Sequence, residues 1–175
     1  MEESLKSNLA NIKLLVLDVD GVLTDGRMVV NADGTQSKFF NSQDGHGIRL
    51  WRRAGLKVAF ISGSHSEATK YRAEKLEAEY VFQNCHYKLP VLKELLQELG
   101  LSPREVACIG DDLPDLPMIR YVGFSAAVAN AVDEVRQHAD YVTTRRGGHG
   151  AVREVIEYIL KNADKWQQLM KRYLP

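Results

Sequence analysis

Cysteine is scarce in this chain: Cys85 and Cys108 are the only two, and neither stands in a paired metal-ligand spacing. A thiolate metal site is thereby excluded, and two buried or idle thiols in a reducing setting are expected. Charge of one sign is lacking too, since Lys plus Arg and Asp plus Glu each number 23 and the net charge is zero. No face-wide basic field exists for nucleic acid or anionic lipid, so any phosphate binding must be local. No apolar run approaches the ~18 residues needed to span a bilayer, and the stretch over 1–11 is mixed polar rather than a charged-then-apolar leader. Internal repeats, low-complexity tracts and Pro/Ser-rich linkers are absent as well. A soluble cytoplasmic chain that binds neither nucleic acid nor membrane is the expectation.

What is present is enough apolar sequence for one core. With 175 residues, 45% of them hydrophobic, a single domain over 1–175 is expected. The run Ile12 to Leu17 is apolar and β-prone and ends abruptly at Asp18, as a fully buried parallel strand does when it stops at a site. Lys57 to Ile61, Tyr80 to Phe82, Val106 to Ile109 and Phe124 to Val128 read as further strands. Between them, helices are predicted over Glu67 to Leu76, with Ser66 as N-cap, and over Leu89 to Leu99, closed by Gly100.

Alternation of this kind implies an α/β, Rossmann-like domain: a mainly parallel sheet with helices on both faces and ligands beyond the C-terminal strand ends. One insertion interrupts it. Arg27 to Asn31 and Thr35 to Phe40 flank Ala32-Asp33-Gly34, whose Asp-Gly pair suits a hairpin over 27–40, too small to be a cap domain. At the far end, Val152, Val155, Ile156, Ile159, Leu160 and Ala163 recur at helical spacing, and Trp166, Leu169, Met170 and Tyr173 prolong the pattern. One helix and tail over 151–175 is expected, its last third reaching beyond the domain edge toward an oligomer contact.

Successive strand ends carry Asp18 and Asp20, then Ser62 and Gly63, then Lys88 after a loop, then Asp111 and Asp112 with Asp115. In a parallel sheet these groups converge on one edge. An excess of carboxylate with a hydroxyl and an ammonium suits a hard divalent cation plus a phosphate. Asp18 and Asp20 can both face the site only if the chain turns, and Gly21 permits that turn. One carboxylate can then attack phosphorus while the other handles a proton. A cation, with Mg²⁺ the usual choice at oxygen sites, is needed to bridge Asp18, Asp111 and a phosphate oxygen. Ser62, the Gly63 amide and Lys88 can hold the phosphoryl group.

Plainer readings stand beside these. Asp112 and Asp115 also suit an N-cap and first-turn acid of the next helix. His86 and His138 read as structural or exposed, while His46, His65 and His149 sit in loops near the expected site. Gly147-Gly148-His149-Gly150 is either an anion cradle at a helix N-terminus or a flexible turn.

Asp18-Val19-Asp20-Gly21-Val22, Ile61-Ser62-Gly63, Lys88 and Gly110-Asp111-Asp112-Leu113-Pro114-Asp115 resemble, in order, the motifs of the haloacid dehalogenase-like phosphatases. The resemblance implies Asp18 as nucleophile, Asp20 as general acid/base, and Ser62 and Lys88 as phosphate ligands. It also implies a magnesium site from Asp18, Asp111 and the backbone carbonyl of Asp20. A narrower likeness rests on Leu23-Thr24-Asp25-Gly26, the hairpin, Phe40-Asn41, Asp44-Gly45-His46-Gly47-Ile48 and Gly147-Gly148-His149-Gly150-Ala151-Val152-Arg153-Glu154. These are similar to the capless 3-deoxy-D-manno-octulosonate 8-phosphate phosphatases, which implies homotetramers with packed hairpins and a small phosphorylated sugar acid as substrate. Asp44, His46, Ser64 and His65 are the candidate substrate contacts.

Ser64 and Gln43 stand where that group usually has Arg, which keeps open a nine-carbon keto-sugar acid 9-phosphate as substrate. A non-catalytic oligomerisation module is the third reading, and the presence of both Asp18 and Asp111 argues against it. A phosphoacceptor signalling domain would carry its acidic pair before the phosphorylated Asp, the reverse of the order here. A dehalogenase has no use for the acid/base that Asp20 offers.

Overall fold

Leu14–Leu17 is buried on both faces because it is the middle of a sheet. A computed structural model describes residues 9–174, so the polar stretch over 1–8 lies outside the described residues. Strand β1 (Leu14–Leu17) pairs in parallel with β4 (Lys57–Ile61) on one side and β6 (Val106–Gly110) on the other. Strands β2 (Val29–Val30) and β3 (Gln36–Ser37) form a separate antiparallel ribbon. With β5 (Tyr80–Phe82), β7 (Phe124–Ala127) and β8 (Tyr141–Val142), the six-stranded sheet runs β5-β4-β1-β6-β7-β8, every neighbour parallel. The chain therefore leaves β1 to one side and returns to the other, which makes the C-terminal end of β1 the topological switch point where such sheets bind ligands. Among the described residues no helix is long and apolar enough to cross a membrane.

Helix α1 (Ser42–Arg53) stands where the sequence implies a loop. Asn41 caps it, its side chain accepting from the N–H groups of Gln43 and Asp44, and Ile48, Leu50 and Trp51 carry its buried face. Its glycines are there for packing: a Cβ on Gly47 would meet Arg153 Cα at 3.2 Å, so α1 and the last long helix lie close together. Helices α2 (Glu67–Leu76) and α3 (Lys88–Leu99) take the expected positions. Ser66 precedes α2 but makes no side-chain cap, while Gly100 closes α3 in the left-handed conformation. Short helices α4 (Leu116–Ile119) and α5 (Asp133–His138) follow.

The C-terminal stripe is not one helix. Helix α6 (Ala151–Asn162) ends where Asp164 turns left-handed at φ 56°, and α7 (Trp166–Met170) starts anew. Lys165 N–H donates to Leu160 O at 2.9 Å, the backward bond of a left-handed helix cap. The break folds the tail onto its own domain. Trp166 lies beside the Lys161 ammonium, and the Tyr173 hydroxyl meets Arg53 Nη1 at 2.7 Å and His46 Nε2 at 3.0 Å. The hairpin ladder is also shorter than expected, its turn closed by Asn31 N–H donating to Thr35 O at 2.8 Å.

Candidate active site

Because β1 stops at Leu17, the next residue leaves the sheet at its carboxyl edge with a buried side chain, and that residue is Asp18. Gly21 then turns the chain at φ 106°, and any Cβ there would collide with the Asp111 carboxylate. A glycine is needed both for the turn and for the room Asp111 occupies. Asp111 follows the end of β6, and Asp115 comes back toward it from a one-turn 3₁₀ helix. Asp115 Oδ2 accepts from Asp111 N–H at 3.0 Å, and the Asp112 side chain caps the turn by accepting from Leu113 N–H at 2.7 Å. The capping reading of these two acids thus holds, and Asp115 does more. Lys88, first residue of α3, is buried with its ammonium 2.5 Å from Asp18 Oδ1 and 2.7 Å from Asp115 Oδ1.

Carboxylate oxygens of Asp18, Asp111 and Asp115 all lie within 4.8 Å of one another. Among the described residues one ammonium bonds the two buried carboxylates, Asp18 and Asp115, and half-buried Asp111 adds a third, so a surplus of negative charge remains that only protons or a cation can relieve. The donor set is all oxygen and anionic, which fits a hard divalent ion such as Mg²⁺. Burial, and then the neighbouring Asp115, push Asp18 up to about 7 despite the opposing pull of Lys88. Burial, and then Asp18, push Asp111 up to about 8. For Lys88 burial disfavours the ammonium, but Asp18 and Asp115 outweigh it and hold the group above its ordinary value.

These shifts give the metal-free protein a defined pH dependence. Asp18 and Asp111 bind protons more tightly folded than unfolded, so their contribution is complete below 3.8 and is lost as pH rises through about 7 and about 8. Thermal melting in chelator is expected to give a lower Tm at pH 9 than at pH 6, and saturating Mg²⁺ is expected to remove most of that difference. A chelated protein whose Tm rises over the same interval would contradict the cluster's electrostatics.

Asp20 is not part of this cluster. Its carboxylate accepts from Lys38 Nζ on both oxygens, at 2.6 and 2.7 Å, and Oδ2 also accepts from Ser64 Oγ at 2.7 Å. Ser62 is buried, its Oγ accepting from Ser64 N–H at 3.2 Å. Asp18, Asp20 and Ser62 to Ser64 line a cavity of about 280 Å³ whose opposite wall is the hairpin, through Met28, Val29, Gln36 and Lys38. A single lysine just after a short polar strand carries no pattern that separates it from a surface residue, so Lys38 is not legible in the sequence.

Other expected contacts lie elsewhere. Asp44 is buried and accepts from the N–H groups of Gly150 at 3.1 Å and Arg153 at 2.8 Å. The N-terminus of α6, where the glycine run offered an anion cradle, is therefore filled by the chain's own carboxylate. His46 bonds Tyr173, exposed His65 lies 3.2 Å from Glu67, and none of Asp44, His46 and His65 lines the cavity. His149 lines a separate cavity with Asp25, Arg27, Asn130 and Arg146, and His138 bonds the Glu134 carbonyl on the surface.

Known proteins resemble this chain over most of its length. Residues 79–156 match the haloacid dehalogenase-like hydrolases. The chain is 43% identical over 150 residues to the 3-deoxy-D-manno-octulosonate 8-phosphate phosphatase of Escherichia coli strain K12, a match covering 86% of this chain and 80% of that protein. A probable YrbI family phosphatase from Pseudomonas syringae superposes with a TM-score of 0.96 at 46% identity, over 99% of this chain and 98% of that one. The 3-deoxy-D-manno-octulosonate 8-phosphate phosphatase of Moraxella catarrhalis, solved with magnesium ion, phosphate ion and a KDO molecule, gives 0.95 at 38% identity over 98% of each chain.

Proposed function

Since the chain belongs to the 3-deoxy-D-manno-octulosonate 8-phosphate phosphatases of the haloacid dehalogenase-like hydrolases, we propose that it hydrolyses that sugar-acid phosphate through an aspartyl-phosphate on Asp18. The observation that carries the reading is the meeting of buried Asp18, Lys88 and Asp115 with half-buried Asp111 at the switch point of the sheet, with Asp20 on the adjoining cavity wall.

In this mechanism an Asp18 carboxylate oxygen attacks phosphorus and the bond to the sugar oxygen breaks as Asp20 delivers a proton to it. Asp20, now ionised, takes a proton from water as that water attacks the acyl-phosphate, which frees inorganic phosphate and restores both residues. The Ser62 hydroxyl and Gly63 amide donate to phosphoryl oxygens, and Lys88 balances charge on Asp18 while keeping it aimed. Asp18, Asp111 and the Asp20 carbonyl would hold magnesium, and the bound ion would supply the positive charge that lets an anionic phosphate approach anionic carboxylates.

The unit of function in this reading is a cytoplasmic homotetramer of single-domain chains. A two-stranded ribbon is marginal alone, yet this one exposes Met28 at 72%, Val30 at 64% and Phe39 at 66%, a surface suited to other copies of itself. The thiols of Cys85 and Cys108 are free, in keeping with a reducing compartment. Although Gln43 replaces an Arg common in the group, Arg145 Nη1 donates to its side chain at 3.1 Å and returns a cation to that neighbourhood.

Phosphate release with magnesium over a panel of sugar phosphates tests the assignment. The eight-carbon acid sugar is expected to exceed nine-carbon acid sugars and hexose phosphates in kcat/KM by at least about tenfold, the discrimination carried by about 1.4 kcal/mol of transition-state binding. Preference for the nine-carbon substrate would move the chain to the sibling activity, and preference for hexose phosphates would overturn the sugar-acid assignment.

A further inference from the structure

We infer that Lys38 is a positioning residue for Asp20: the hairpin reaches into the site to fix the aim of the proposed acid/base. This inference rests on the phosphatase reading and adds to it a residue that no sequence pattern singles out.

Lys38 stands out from its surroundings. Residues 28–37 are exposed, yet the Lys38 side chain retains only 6% of its accessibility because it turns inward onto Asp20. Lysine is rarely covered to that degree unless paired, and here the pairing is two-pronged, 2.6 Å to Oδ1 and 2.7 Å to Oδ2. Ser64 Oγ donates to Oδ2 at 2.7 Å from a different element, the loop after β4. An ionised carboxylate offers about four lone-pair sites. These three bonds fill both sites of Oδ2 and one of Oδ1, which leaves one lone pair, on Oδ1, for proton exchange.

Two elements thus fix the plane of the carboxylate. General acid catalysis requires the carboxyl within hydrogen-bond reach of the leaving oxygen, and small errors of aim are costly. The insertion contributes to the chemistry through this contact, although it lies outside the main sheet.

Leaving-group dependence tests the role, because kcat/KM covers only the steps up to departure of the leaving group. A sugar phosphate leaves as an alkoxide and needs the proton, whereas p-nitrophenolate departs without one. Lys38→Met is expected to lower kcat/KM on the eight-carbon sugar phosphate by about 100- to 1000-fold, within the usual contribution of general acid catalysis. On p-nitrophenyl phosphate the same variant should lose less than about fivefold, a gap that reads a lost proton donor rather than lost binding. Lys38→Arg should recover much of the sugar-phosphate rate, since a guanidinium can also hold both oxygens. Ser64→Ala should change the two substrates in the same sense but less.

Equal losses on both substrates, or failure of Lys38→Arg to recover any rate, would overturn the inference. So would a Lys38→Met enzyme with wild-type kcat/KM on the sugar phosphate. Wild-type protein inert toward both substrates would instead count against the phosphatase reading itself.

Discussion

Asp18→Asn is expected to lower magnesium-dependent phosphate release by at least about 10³-fold, since removing the group that forms the covalent intermediate leaves only binding and electrostatics to act. The substitution keeps shape and volume. It also removes one of three carboxylates whose oxygens crowd within 4.8 Å, so the metal-free protein should melt no lower than wild type. Lys88 keeps Asp115 as a partner in that variant. Activity lost with stability retained separates a chemical role from a structural one. Substantial residual turnover in Asp18→Asn would transfer the nucleophile to another residue, and a steep drop in Tm would make Asp18 chiefly a structural counter-ion.

Lys88→Ala should fail in the opposite pattern, losing both rate and stability. Lys88 is the only ammonium bonded to Asp18 and Asp115 among the described residues, and all three side chains are buried. Breaking a buried pair by removing one partner costs on the order of 3–5 kcal/mol. That cost should appear near pH 8.5, where the carboxylates are being driven to ionise. It should shrink near pH 5.5, where protons on Asp18 and Asp111 replace the missing charge. Magnesium should restore part of the stability at the higher pH, because it neutralises the same carboxylates. Turnover is expected to fall about 10²-fold or more, as when another preorganised electrostatic contact is removed. A variant as stable as wild type in chelator at pH 8.5 would contradict this description of the cluster.

The sequence and the structure meet most fully where pattern is local. Buried parallel strands appear as uninterrupted apolar runs, so the strands at 14–17, 57–61 and 106–110 and the Asp18, Ser62 and Asp111 that follow them could be read directly. Where tertiary packing decides, the reading failed. Gly45 and Gly47 look like helix breakers, but in α1 they make room for Arg72 and Arg153. Asp44 in the same turn looks like a site acid, but its partners are backbone N–H groups over a hundred residues away in sequence. The stripe from Val152 to Tyr173 keeps helical spacing across a break because α7 packs on the same core as α6. Lys38 takes its meaning from Asp20, 18 positions distant, a separation that no single-sequence pattern records.

The most direct test of the account is to find where the phosphoryl group sits during turnover. Protein mixed with magnesium and the eight-carbon sugar-acid phosphate, quenched in acid within the first turnovers and digested, can be mapped by peptide mass. The account requires a transient phosphoryl group on Asp18, absent from Asp18→Asn. A phosphoryl group on any other residue, or steady turnover with no labelled intermediate at any quench time, would contradict it.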